Sequence, residues 1–251
     1  MRYFQAQPSA LKGCAMTRIA CLHTAQSNVA VFDAALAAVA LTGATLHHEV
    51  RADLLAAAER EGRLTLQIAQ RTAEALRGLS EGADVVLLTC STLGPAAEIA
   101  ADDATIPILR VDAALATEAV KDGGSVVVLC AVETTVEPTR RLFEAAALAT
   151  GAEVTVCLVP GAWEAFKAGD RDRYLAMVAR ASEDAMRGGA TRVALAQASM
   201  AEASHLSLAA QRPLTSPTVG LKAAATAAAT AAATAAATVT SAFRPDAPCV
   251  T

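Results

Sequence analysis

Aromatic residues are scarce in this 251-residue chain, 3% of the total with a single tryptophan. A core with so few large rings must be built mostly from Ala, Val and Leu, the main contributors to a hydrophobic content of 54%. Small side chains let helices lie close on a sheet, so the scarcity favours α/β layers. Charge is sparse too, at 18% with a net charge of −4, and leaves no basic footprint for nucleic acid. The six cysteines, at 14, 21, 90, 130, 157 and 249, form no C-x-x-C pair and no metal-ligand spacing, so no metal is expected. The opening MRYFQAQPSALKGCA lacks the continuous apolar stretch of a signal peptide. Reduced thiols in a cytoplasmic protein are therefore the expectation. Cys21, Cys130 and Cys157 fall in or just after apolar runs and read as small buried hydrophobes.

What is present is a cadence. Strand-length apolar runs at 18–23, 44–48, 84–89 and 106–111 alternate with helical patterns over about 29–41 and 52–79, the latter with Gly62 as a break. Val85–Leu88 is apolar without alternation, as in a strand covered on both faces. The order repeats with strands at 125–129, 153–159 and 192–197 and helices at about 137–150, 171–187 and 201–210. Strand, helix, strand in this rhythm implies βαβ units and parallel sheets. The expected organisation is an extension at 1–16, a first α/β half from 17–111 plus 215–251, and a second half at 112–214.

From Lys222 to Thr238 the chain reads KAAATAAATAAATAAAT. Alanine is the best helix former. At about 100° per residue each Thr advances by roughly 400°, which draws a slanted hydroxyl stripe along one helix. Ala and Thr are too weakly apolar for a confident membrane span. A helix packed on the first half is the expectation, with no membrane partner.

In open parallel sheets, ligands bind beyond the carboxyl ends of the strands. The residues just past those ends are His23-Thr-Ala-Gln-Ser-Asn28, Cys90-Ser-Thr-Leu-Gly, Cys130-Ala-Val-Glu-Thr134-Thr135 and Gln197-Ala-Ser-Met. Cys90 leaves its strand where a helix begins, and backbone N–H groups there can stabilise a thiolate. Ser91 and Thr92 beside it can bind a carboxylate. Each of these hydroxyls also suits ordinary helix capping.

These residues resemble the aspartate/glutamate/hydantoin racemase superfamily. The resemblance runs through most of 17–220: the strand-Cys-Ser-Thr element at 84–95, Ile-Pro-Ile-Leu-Arg-Val-Asp at 106–112 and Thr-Thr-x-x-x-Thr at 134–139. It continues through Gly161-Ala-Trp-Glu-Ala-Phe, Gly169-Asp and Leu195-Ala-Gln-Ala-Ser-Met-Ala201. It implies two pseudo-symmetric three-layer αβα halves with the active site in the cleft between them. It also implies a cofactor-independent isomerase of the amino-acid racemase or epimerase type, acting on a small carboxylate, as a homodimer or higher homo-oligomer. In the family two thiols face opposite sides of the substrate Cα. One removes a proton and the other delivers one, while the carbanion is stabilised. By position, Cys90 matches the first-half cysteine, and Ser91 and Thr92 the carboxylate-binding stretch. Thr134 and Thr135 match a second hydroxyl loop, and Asn28 a polar contact from the first βα loop.

The departure lies in the second half. Hydantoin-racemase-like members read roughly Leu-Gly-Cys-Ala-Gly-Met where this chain reads Leu195-Ala-Gln-Ala-Ser-Met200. That register sets Gln197 at the cysteine, whereas aligning the two halves with each other sets Ala198 opposite Cys90. Neither places a thiol there. Gln can only donate and accept hydrogen bonds, and Ser199 is a weak base without an activating His. Three readings follow. Cys90 works with Gln197 and Ser199 polarising the substrate, in an isomerisation, a decarboxylation or a maleate-isomerase-like reaction. Alternatively racemisation survives through water or Cys130, or the cleft binds a small carboxylate without turnover.

Overall fold

The computed structural model describes residues 16–209 and 211–242, with side chains through 237. The expected extension at 1–16 thus lies, but for Met16, outside the described residues, as does the tail beyond Ala242.

The first half runs β1 (Thr17–His23), α1 (Ser27–Val39), β2 (Ala44–Val50), α2 (Ala52–Glu61), α3 (Leu66–Gly78), β3 (Val85–Leu88), α4 (Ala96–Ala101) and β4 (Ile108–Arg110). Gly62 ends α2 in the left-handed region at φ 65°, which explains why the helical tract at 52–79 divides there. The second half runs α5 (Val111–Val120), β5 (Ser125–Cys130), α6 (Val136–Ala147), β6 (Glu153–Leu158), α7 (Ala162–Lys167), α8 (Arg171–Arg187), β7 (Arg192–Leu195), α9 (Ala203–Leu206) and β8 (Leu214–Thr215). A final helix, α10, spans Ser216–Ala242. The expected helix at 201–210 is only the one turn of α9, preceded by a 3-10 turn at Ala198–Met200. The sequence pattern missed α5, α7 and the two-residue β8.

Two four-stranded sheets result, ordered β2-β1-β3-β4 and β6-β5-β7-β8, with every pair parallel. Helices flank each sheet, so the fold is α/β in two halves, as expected. The halves repeat residue by residue. β1 pairs with β3 over Ile19–Leu22 and Val85–Leu88, and β5 pairs with β7 over Val126–Leu129 and Arg192–Leu195. Just outside these ladders, Asp84 N–H donates to Arg18 O (2.9 Å) as Thr191 N–H donates to Ser125 O (2.8 Å). At the other end, Thr89 N–H donates to Leu22 O (3.1 Å) as Ala196 N–H donates to Leu129 O (3.0 Å).

Helix α10 packs on the first half. Leu221, Ala224 and Ala228 are buried with Ile19, Cys21, Phe32, Val85 and Leu87. A Cβ on Gly220 would stand 2.5 Å from Val111 Cγ2, so glycine lets α10 lie this close to the start of α5. The threonines that follow turn their hydroxyls back on their own helix: Thr226 Oγ1 donates to Lys222 O (3.0 Å) and Thr230 Oγ1 to Thr226 O (2.9 Å). A four-residue repeat makes this i to i−4 bond recur at Thr234, whose Oγ1 donates to Thr230 O (3.0 Å). The stripe is thereby satisfied on an exposed face while Ala224 and Ala228 face the core. Among the described residues no helix is long and apolar enough to cross a membrane.

Candidate active site

Cys90 lies two residues beyond β3, in the loop that leads to α4. Burial pushes its thiol up from the ordinary cysteine range. Hydrogen bonds from the Thr24 hydroxyl and from the backbone N–H groups of Leu93 and Thr92 act the other way, and nearby Asp112 adds to the upward push. The thiol is therefore protonated at rest, with donors already in place around the sulfur for a thiolate formed during a reaction. Ser91 and Thr92 follow, both half-buried. Gly94 N–H donates to Ser91 O (3.1 Å) and closes the turn.

Arg110 holds this loop from outside. Its Nε and Nη2 donate to Asp112 Oδ1 and Oδ2 (2.8 and 2.9 Å), and Nη1 donates to Glu98 (3.0 Å). The guanidinium lies so close over Gly94 that a Cβ there would be 2.2 Å from Nη2. A Cβ at Gly94 would have to push the end of the Arg110 side chain aside, against the partly buried ion pair that holds it. Sequence reasoning gave no site role to Thr24, Arg110 or Asp112. Thr24 lies just past the end of β1, and Arg110 and Asp112 fall at the end of β4 and the start of α5, in the 106–112 stretch of the resemblance.

In the second half, Gln197 lies two residues beyond β7. Its Oε1 accepts from Ala131 N–H (2.7 Å) and its Nε2 donates to Thr135 Oγ1 (3.2 Å). Thr135 in turn donates to Val132 O (2.7 Å). Two of the expected site residues, Gln197 and Thr135, are therefore joined directly. Thr134 is exposed beside them. Ser199 shares a 2.8 Å hydrogen bond with the Tyr174 hydroxyl. Burial pushes Tyr174 up to about 12, with the Ser199 bond acting against that. Cys130 ends β5 fully buried, its thiol pushed up by burial, with the neighbouring Thr139 and Thr135 hydroxyls acting the other way. Ser216, directly after β8, has a buried hydroxyl with no hydrogen-bond partner among the described residues. Asn28 is half-buried in the first turn of α1.

The backbone match between the halves settles which residue stands where Cys90 stands. It equates Thr89 with Ala196, and one residue further it equates Cys90 with Gln197. The alignment that set Ala198 opposite Cys90 is corrected. Ala198 is buried against the first-half core with Phe32 and Cys21, which removes it from a cleft-lining role. The match also equates Thr24 with Ala131, so Cys90 and Gln197 each bond to the corresponding residue of the neighbouring strand end.

A parallel two-sheet fold with matched polar loops at corresponding strand ends defines the class to which the chain is similar. Picrophilus torridus aspartate racemase aligns at a TM-score of 0.62 with 13% identity, covering 88% of this chain and 94% of that one. Allantoin racemase from Klebsiella pneumoniae aligns at 0.60 with 16% identity, over 85% and 88% of the two chains. Glutamate racemase from Thermus thermophilus aligns at 0.56 with 17% identity, over 92% and 84%. No family model and no curated protein matches the sequence. The chain thus has the fold of these aspartate, allantoin and glutamate racemase structures.

Proposed function

We propose that the protein is a cofactor-independent isomerase with a racemase-like fold that takes a proton from the carbon next to a carboxylate. Its substrate is a small amino-acid-like acid or a dicarboxylate, and Cys90 is its one working thiol. The observation that carries this reading is the equivalence of Cys90 and Gln197 at the ends of matching strands.

In this reading the Ser91 and Thr92 hydroxyls and backbone N–H groups hold the substrate carboxylate from one half, and Thr134 and Thr135 from the other. Asn28 adds a polar contact. As base, the Cys90 thiolate removes the Cα proton while the electron pair moves into the carboxylate, which those donors stabilise. As acid, the thiol returns a proton from the same side, to Cα for exchange with retention or to a conjugated carbon of an unsaturated acid for isomerisation. Gln197 has one N–H and one lone pair beyond its bonds to Thr135 and Ala131, enough to orient the substrate but not to transfer a proton. Ser199, paired with Tyr174, polarises the far side.

A second reading is favoured by the upward-shifted thiol. A cysteine protonated at rest is a proton donor first, which suits decarboxylation of an activated diacid. There the C–C bond breaks, CO₂ leaves, the electron pair stays on Cα, and the Cys90 S–H protonates it. Solvent then restores the thiol. Incubation with amino acids, hydantoins and small dicarboxylates in D₂O separates the readings. Exchange at Cα without inversion, together with an isomerised product, supports one-thiol isomerase chemistry, and CO₂ release supports decarboxylation. Binding without either leaves only a carboxylate-binding protein.

A further inference from the structure

Behind the strand end that leads to Cys90 lies a second group of chemistry-bearing side chains, on the face of the sheet covered by α1. Cys21 and His23 project from the same face of β1, two residues apart, and His48 of β2 is the register partner of Cys21. Their donor atoms all lie within 4.8 Å of one another. Cys21 and His23 are fully buried.

The hydrogen bonds around this group assign its protons. Thr89 Oγ1 donates to Leu22 O at 3.0 Å, so it must accept from His23 Nδ1 at 2.8 Å. His23 therefore carries its hydrogen on Nδ1 and turns a bare Nε2 inward. His48 Nε2 faces the carboxylate oxygen of Asp33 at 3.2 Å and must carry hydrogen there, which leaves Nδ1 as the inward atom. His23 Nε2 and His48 Nδ1 stand 2.8 Å apart. Two lone pairs at that distance repel, and a cation between them removes the repulsion. A proton can be that cation, but a proton leaves the adjacent Cys21 sulfur without a role.

We infer that Cys21, His23 and His48 form a binding site for one thiophilic divalent ion of the Zn(II) kind, with Cys21 Sγ, His23 Nε2 and His48 Nδ1 as ligands. Thiolate and imidazole select such an ion over Mg(II) or Ca(II). With zinc–nitrogen bonds of about 2.0–2.1 Å, the two nitrogens need to separate by only about half an ångström. The supporting bonds are already formed: Asp33 on His48 and Thr89 on His23 orient the rings in the way outer groups orient metal-binding histidines. Asp33 is 60% exposed and His48 15%, so the ion enters from the α1 side. The site does not depend on the chemistry proposed for Cys90. When filled, it ties β1 to β2 beneath the loop that carries Thr24.

The test uses the full chain stripped with a chelator and titrated with Co(II), then Zn(II). One equivalent of Co(II) is expected to give a strong thiolate-to-cobalt charge-transfer band, which Zn(II) abolishes by displacement. The band should vanish in Cys21→Ser and His48→Gln. Asp33→Asn, an exposed change that leaves the fold intact, should weaken affinity by about 10–100-fold. Absence of any binding would mean that a shared proton alone fills the gap, and would overturn the inference. So would a band that survives Cys21→Ser and disappears in Cys90→Ala.

Discussion

Gln197 stands in the second half where Cys90 stands in the first. The two residues follow matching strands, and each bonds to the corresponding residue of the neighbouring strand end, Ala131 for Gln197 and Thr24 for Cys90. The same strand-end position thus carries a thiol in one half and an amide in the other, on a matching backbone.

Restoring the thiol should restore the second face. Gln197→Cys places a sulfur at the equivalent position, and chiral chromatography of the product should then detect inversion that the parent lacks. If Cys90 already works against another acid such as Cys130, the substitution will not add inversion.

Removing the amide should cost stability. In Gln197→Leu the Ala131 N–H loses its acceptor and Thr135 loses a donor. An unsatisfied, partly buried donor costs about 1–3 kcal/mol. Urea unfolding would show the midpoint falling with an unchanged slope.

Two glycines are fixed by close approach and should not tolerate alanine. Gly220→Ala forces α10 away from Val111, an overpacking worth about 1–3 kcal/mol. Gly94→Ala drives the guanidinium of Arg110 off the Cys90 loop, and should lower turnover more than it lowers the thermal midpoint. Equal losses in both quantities would deny the loop its positioning role.

Tyr174 predicts a pH dependence at the alkaline end. Its native value of about 12 exceeds that of an unfolded tyrosine, about 10. The unfolded chain therefore loses this proton first, and stability falls as pH rises from about 10 to about 12. The loss amounts to about 2 kcal/mol and should be absent from Tyr174→Phe, as measured by denaturant unfolding across that range.

Much of the architecture was legible because it follows local periodicity. The unbroken apolar run Val85–Leu88 reads as a central strand, and it is fully buried between β1 and β4. The helix at Arg171–Arg187 was read to the residue. Short elements were not legible: β8 has two residues and α9 one turn, too few to show a period. The equivalence of Gln197 with Cys90 needed backbone hydrogen bonds between strands far apart in sequence. The grouping of Cys21, His23 and His48 depends on the β1–β2 register, which no ligand spacing along the chain reveals. Arg110 and Asp112 lie in the family-like stretch 106–112, but their clamp on Gly94 is a tertiary contact that local sequence does not show.

The central claim is that Cys90 alone transfers the proton. Deuterium uptake at Cα of a turned-over carboxylate in D₂O, followed by NMR in the parent and in Cys90→Ala, tests it most directly. Uptake with retained configuration is expected in the parent, and none in Cys90→Ala. Undiminished uptake in Cys90→Ala would contradict it.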